Sequence, residues 1–248
     1  MSVQQEKFKV IADKIREKTG DGELIKPDDF AEKVDEVYDA GKKSQYDEFW
    51  DSFQQNGKRT LYDTAFCGSG FNETTFKPKY DIIMKGGAYM PFARIAVKSL
   101  KKIEEENNIK IDFSGLASAE YLFHFSNIEE VGIVDLSNVT SPFYTTFMHS
   151  TNLKTIDLLV LNKNASQTFK TGCFEGCKKL EEIKIQGKIG DNFDIHSSTV
   201  LSYESLMSII TALIETQNLL TFTIGQRNID KLSDEDIAIV NNKGWTIA

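Results

Sequence analysis

Cysteine, proline, histidine and tryptophan are all scarce in this chain: 3, 4, 3 and 2 copies among 248 residues. Three cysteines are too few for a disulfide scaffold. Cys173 and Cys177 stand four apart in CFEGC, and Cys67 occupies a similar setting upstream. The histidines, His124, His149 and His196, fall at no metal-ligand spacing, so neither a metal centre nor a cofactor is expected. No apolar run approaches the roughly 18 to 20 residues of a membrane span, which argues against membrane insertion. Lys and Arg number 29 against 37 Asp and Glu, a net charge of -8. That balance argues against nucleic acid, which needs a basic face. The opening MSVQQEKFKVIADKIREK lacks the apolar core of a secretory signal, so export by the general secretory route is not expected. Catalytic signatures are missing too. Gly68-Ser69-Gly70 lacks the Lys of a phosphate loop, and no Ser, His and Asp are placed together by the sequence, so an enzyme is not expected.

What the chain has is a repeat, on an ordinary globular background of 40% apolar and 27% charged residues. An aromatic residue is followed three later by Ser or Cys at Phe66/Ser69, Phe123/Ser126, Phe147/Ser150 and Phe174/Cys177. An apolar hexad follows each: Phe71-x-x-Thr74-x-Phe76, Ile128-x-x-Val131-x-Ile133, Leu153-x-x-Ile156-x-Leu158 and Leu180-x-x-Ile183-x-Ile185. A fifth hexad, Leu219-x-x-Phe222-x-Ile224, lacks the aromatic turn. Adjacent copies lie about 24 to 27 residues apart, the period of a stacked array. Positions 1, 4 and 6 of each hexad are expected to point inward, and positions 2, 3 and 5 to face solvent. Side-by-side stacking would pair these short strands in parallel, setting Val131, Ile156 and Ile183 next to one another. Cys177 reads as a small residue replacing the Ser of the other turns. A degenerate unit intervenes: IDFSGLAS at Ile111 to Ser118 matches VDLSNVTS at Val134 to Ser141, and Ala93 to Asn108 reads as a helical insertion.

The ends differ in character. Residues 1–58 read as a helical segment, with Phe8, Ile11, Ala12 and Ile15 on one stripe and Phe30, Val34, Val37 and Tyr38 on another. An aromatic stripe, Tyr46, Phe49, Trp50 and Phe53, leads to an Asn56-Gly57 turn. Two uses of this segment compete: capping one end of the array, or holding an oligomer or docking onto a larger particle. Residues 59–225 carry the repeats, with the insertion near 93–108. Within them, LSYESLMSIITALIE reads as a helix opened by Ser202. Residues 226–248, with a helix from Ser233 to Asn241 and a strand Trp245-Thr246-Ile247, read as a C-terminal cap.

The F-x-x-[S/C] turn with its hexad, closest in CFEGCKKLEEIKI from Cys173 to Ile185, resembles the BspA-type leucine-rich repeat of bacterial surface proteins and Treponema pallidum leucine-rich proteins. The resemblance covers roughly residues 60 to 225. IADKIREKTG, IKPDDFAEKVDEVYDAGK and LSDEDIAIVNNKGWTIA are similar to the ends of repeat proteins of gut Firmicutes and their prophages. It implies an α/β leucine-rich-repeat solenoid with short parallel strands, helical N-terminal segments and a helical C-terminal cap. It also implies a non-catalytic role in binding protein or glycan at a cell or host surface, with a structural part of a phage tail as the alternative.

The candidate binding strip is the outward hexad positions. Glu129, Glu130, Lys154, Asp157, Glu181, Glu182 and Lys184 make a mixed, mainly acidic row, joined by Asn72, Glu73, Thr75, Gly132, Thr155, Leu220, Thr221 and Thr223. Such a row suits a basic or hydroxyl-rich partner. It is also what any solvated sheet needs to stay soluble.

Overall fold

The computed structural model describes residues 59–61, 66–68, 70–87, 90–163, 169 and 172–248, all within one unit, Gln54–Ala248. The expected helices of residues 1–58, the aromatic stripe from Tyr46 to Phe53 and the Asn56-Gly57 turn lie outside the described residues. The described chain is mixed α and β. Its strands are β1 (Arg59–Leu61), β2 (Ile82–Gly86), β3 (Ile111–Leu116), β4 (Glu130–Asp135), β5 (Thr155–Val160), β6 (Glu182–Gln186), β7 (Phe193–Asp194), β8 (Leu220–Thr223) and β9 (Trp245–Ile247). Its helices are α1 (Leu100–Asn107), α2 (Tyr203–Ala212), α3 (Gln226–Ile229) and α4 (Asp234–Asn242). The strands form three sheets in chain order, β1-β2-β3, β4-β5-β6 and β7-β8-β9. Every pairing within them is parallel. Parallel neighbours need a long crossover, and the repeat period supplies it.

Hexad position 4 forms one row: Val131 pairs with Ile156 and Ile156 with Ile183, all three buried. Position 6 does not follow in this sheet, although Phe76 and Ile224 elsewhere are buried as expected. Ile133 is 59% exposed and Leu158 is half-buried, while the next residues, Val134 and Leu159, fill the core. The cause is a collision of two alternations. Val131 and Ile156 set one phase; Val134 with Leu136, and Leu159 with Leu161, set the opposite one, and all are buried. The strand absorbs the mismatch as one extra residue, seen as a register shift between Ile156 and Leu159 against β6. Ile133 and Leu158 are directly paired, so both turn outward together.

Three further expectations are corrected. The hexad Phe71 to Phe76 is a turn and not a strand. Asn72 accepts through Oδ1 from the Thr74 and Thr75 amides at 2.9 and 3.2 Å, an Asx turn that competes with extended backbone. The helix expected over 93–108 begins only at Leu100, where Ser99 accepts from the Lys102 amide as N-cap. Leu219 is 82% exposed, although Phe222 and Ile224 of its hexad are fully buried.

Buried phenylalanines from successive turns form a stack. Phe66, Phe92, Phe123, Phe147 and Phe174 follow one another at ring separations of 5.2, 5.7, 5.3 and 5.2 Å. Phe92 belongs to the degenerate unit. The Ser and Cys of the turns lock the stack. Ser150 Oγ donates to the Phe123 carbonyl, Cys177 Sγ to the Phe147 carbonyl at 3.0 Å, and Ser198 Oγ to the Cys177 carbonyl at 2.9 Å. Burial pushes the Cys173 thiol up to about 12 and raises Cys177 also, so both behave as packed groups and not as nucleophiles.

Two helices supply side-chain acceptors to strand amides. Glu104 of α1 accepts from the Ile111 amide of β3 at 2.8 Å. Ser205 and Ser208 of α2 accept from the Ile183 and Ile185 amides of β6 at 2.9 and 2.8 Å. A helix thus satisfies strand donors through residues one turn apart. Ser202 caps α2 by accepting from the Ser205 amide, and Ser233 with Asp236 forms a capping box on α4. Removing the Ser205 hydroxyl, as Ser205→Ala, leaves a buried strand amide unpaired. The expected cost is about 1 to 3 kcal/mol, read as a lower urea midpoint together with faster exchange of the Ile183 amide. Exchange that stays as slow as in the parent would show that α2 is not what protects this edge.

Candidate functional site

The seven strip residues lie on or beside β4, β5 and β6, but the structure does not leave them as a bare acidic row. Lys154 Nζ is 2.6 Å from Glu129 Oε2. The pairing pulls the Glu129 carboxyl below its ordinary value and raises Lys154. Lys101, reaching across from α1, sits 2.8 Å from Asp157, and this partner raises its own pKa. Both pairs are open to solvent on the lysine side, where such bridges contribute little stability. Glu130 accepts from Ser99 Oγ at 3.0 Å. Glu182 accepts from Ser202 Oγ at 2.9 Å and Ser205 Oγ at 3.3 Å. Glu181 and Lys184 are exposed and make no side-chain hydrogen bond or ion pair among the described residues. Gly132, expected outward, is buried against α1; a Cβ there would meet Glu104 Oε2 at 3.2 Å.

In the middle of this charged frame sit the displaced Ile133 and Leu158. Sequence reasoning missed them because the hexad assigns both to the core. The adjoining groove, lined by Glu73, Lys77, Lys98, Lys102, Glu129 and Glu130, depends on α1 and was equally invisible. Burial raises the Glu104 carboxyl, opposed by its bond from the Ile111 amide.

No family model, no curated protein and no solved structure matches this chain.

The histidines are less scattered in space than in sequence. His124 and His149 rings are 6.3 Å apart, and His149 and His196 line one cleft. Burial, then His149 and Arg94, lower the His124 pKa. No group of three His, Cys, Asp or Glu side chains among the described residues could hold a metal ion. No described helix is long and apolar enough to cross a membrane.

Proposed function

We propose that residues 59–225 form a leucine-rich-repeat solenoid of the BspA type, acting as a non-catalytic binding module whose strand face takes a protein partner at a cell or host surface. The solenoid reading is supported by the parallel pairing of consecutive strands, the position-4 row and the phenylalanine stack. The observation that carries the binding reading is Ile133 beside Leu158, two large apolar side chains turned out of the core at the centre of a charged surface. An apolar centre inside a polar rim is the anatomy of a protein interface. A purely solvated sheet would put polar residues there. The salt-bridged state of Glu129 also favours binding over acid–base chemistry, since Lys154 holds that carboxyl ionised.

The test is a surface plasmon resonance screen of the full chain against fibronectin, laminin, collagen and mucin. We expect at least one to bind, and the pair Ile133→Asp with Leu158→Asp to weaken it roughly tenfold or more. A blank screen would sink the host-surface reading. Binding that ignores the double substitution would sink the location.

A further inference from the structure

We propose a second binding site, for a neutral carbohydrate, on the turn side of the coils, built from Phe125 and the cleft between His149 and His196. The first observation is backbone strain in an ordered column. Gly68, Arg94, Phe125, His149 and Gly176 occupy successive turns with φ of 115, 59, 55, 59 and 76°. Their amides follow one pattern: Gly68 donates to Ala93, Arg94 to His124, Phe125 to Met148 and His149 to Glu175, at 2.7 to 2.9 Å. Glycine adopts this conformation freely, and the column has glycine at both ends. In the middle it carries an arginine, a phenylalanine and a histidine, which the left-handed region disfavours. Burial does not compensate Phe125, which is 49% exposed. Every turn of the column has this backbone whatever its residue, Arg94 included, so what singles out Phe125 is a phenyl ring left exposed beside two imidazoles.

The second observation is what the ring stands beside. Phe125 lies 4.4 Å from His124 and 4.7 Å from His149, centroid to centroid, and Tyr121 packs on His124 at 5.1 Å. His149 is also a wall of a cleft of about 380 Å³, shared with Glu175, Lys178, Asp194, His196 and Ser197. Asp194 Oδ1 is 2.6 Å from His196 Nδ1, which fixes that imidazole and leaves Nε2 for a ligand.

Ligand class follows from chemistry. Two carboxylates, one ammonium and two imidazoles offer donors and acceptors without a dominant sign, so the cleft selects neither a strong anion nor a strong cation. The absence of a ligating trio among the described residues argues against a metal. An aromatic platform next to alternating donors and acceptors fits a sugar ring, whose C–H face stacks while its hydroxyls bridge carboxylate and imidazole. The volume is in the range of small-molecule sites and suits roughly one to two pyranose rings.

The experiment is saturation-transfer NMR on the full chain with maltohexaose, cellohexaose, mannohexaose and chitohexaose, followed by titration of whichever binds. Phe125→Gly places at the strained position the residue found at both ends of the column. Its melting temperature is expected to equal or exceed the parent's while affinity falls at least tenfold, a split that loss of folding cannot mimic. His196→Ala, which truncates an exposed side chain, is expected to lower affinity at least fivefold. The strand-face variant Ile133→Asp with Leu158→Asp is expected to bind sugar as the parent does, which separates this site from the protein-binding one. Absence of transfer from all four sugars, or affinity within twofold of the parent in both Phe125→Gly and His196→Ala, overturns the proposal.

Discussion

Phe147→Ala is expected to cost about 4 kcal/mol from the cavity alone, with another ~1 kcal/mol for each stacked ring it leaves. Phe147 is fully enclosed and lies nearly parallel to Phe123 at 5.3 Å and Phe174 at 5.2 Å, with interplanar angles of 16° and 11°. Its carbonyl accepts from Cys177, and its amide donates to the Cys173 carbonyl at 3.0 Å, so neighbouring backbone cannot easily collapse into the gap. A loss of this size is a large part of the roughly 5 to 15 kcal/mol that holds an ordinary domain together. Because a solenoid is coupled only through neighbouring coils, the proposed architecture adds a second expectation. A break at this central coil should separate the two halves, so that guanidinium unfolding broadens or splits and its slope falls. A single transition with unchanged slope, only shifted in midpoint, would mean that cooperativity runs through something other than coil-to-coil contact.

Much of this stack was legible in the sequence, because Phe123, Phe147 and Phe174 each precede a small Ser or Cys at fixed distance. Phe92 was not, since Ile95 stands where the small residue would be and α1 lengthens its unit. Ser198 continues the column with Ile195 in the aromatic place, a substitution of type that a strict pattern passes over. Position 4 of the hexads was readable because one alternation governs it. Position 6 was not, because Ile133-Val134 and Leu158-Leu159 each offer two adjacent apolar residues and only the following turn decides which enters the core. That undecided choice created the apolar centre of the candidate site. The strip itself was located by hexad spacing, but its partners came from elsewhere. Lys101 reaches Asp157 from a helix whose placement no local pattern records. The strained turn was hidden for a different reason: a left-handed residue is inferred from glycine, and Phe125 and His149 give no such signal.

Gly187→Ala is expected to destabilise by about 3 kcal/mol or more, although alanine adds one methyl group. Gly187 follows β6 with φ +121°, and a Cβ there would overlap the Leu161 carbonyl oxygen and lie 2.7 Å from Leu161 C and Cβ. None of these atoms is free to retreat. Leu161 is fully buried, and its amide donates to the Gln186 carbonyl at 2.6 Å, which ties the residue after β5 to the end of β6. Gly68 is the control, with φ +115° and nothing within 4 Å of the place a Cβ would take. Gly68→Ala therefore carries the conformational penalty alone, about 1 to 3 kcal/mol, and the difference between the two variants isolates the approach of Gly187 to Leu161. Thermal and chemical unfolding of both measures it. Strands in a sheet stand about 4.8 Å apart, so a turn that crosses directly over the one before has no room for a side chain pointing down. Stability of Gly187→Ala within about 0.5 kcal/mol of Gly68→Ala, the spread expected for unconstrained surface changes, would place Gly187 further from Leu161 than this contact requires.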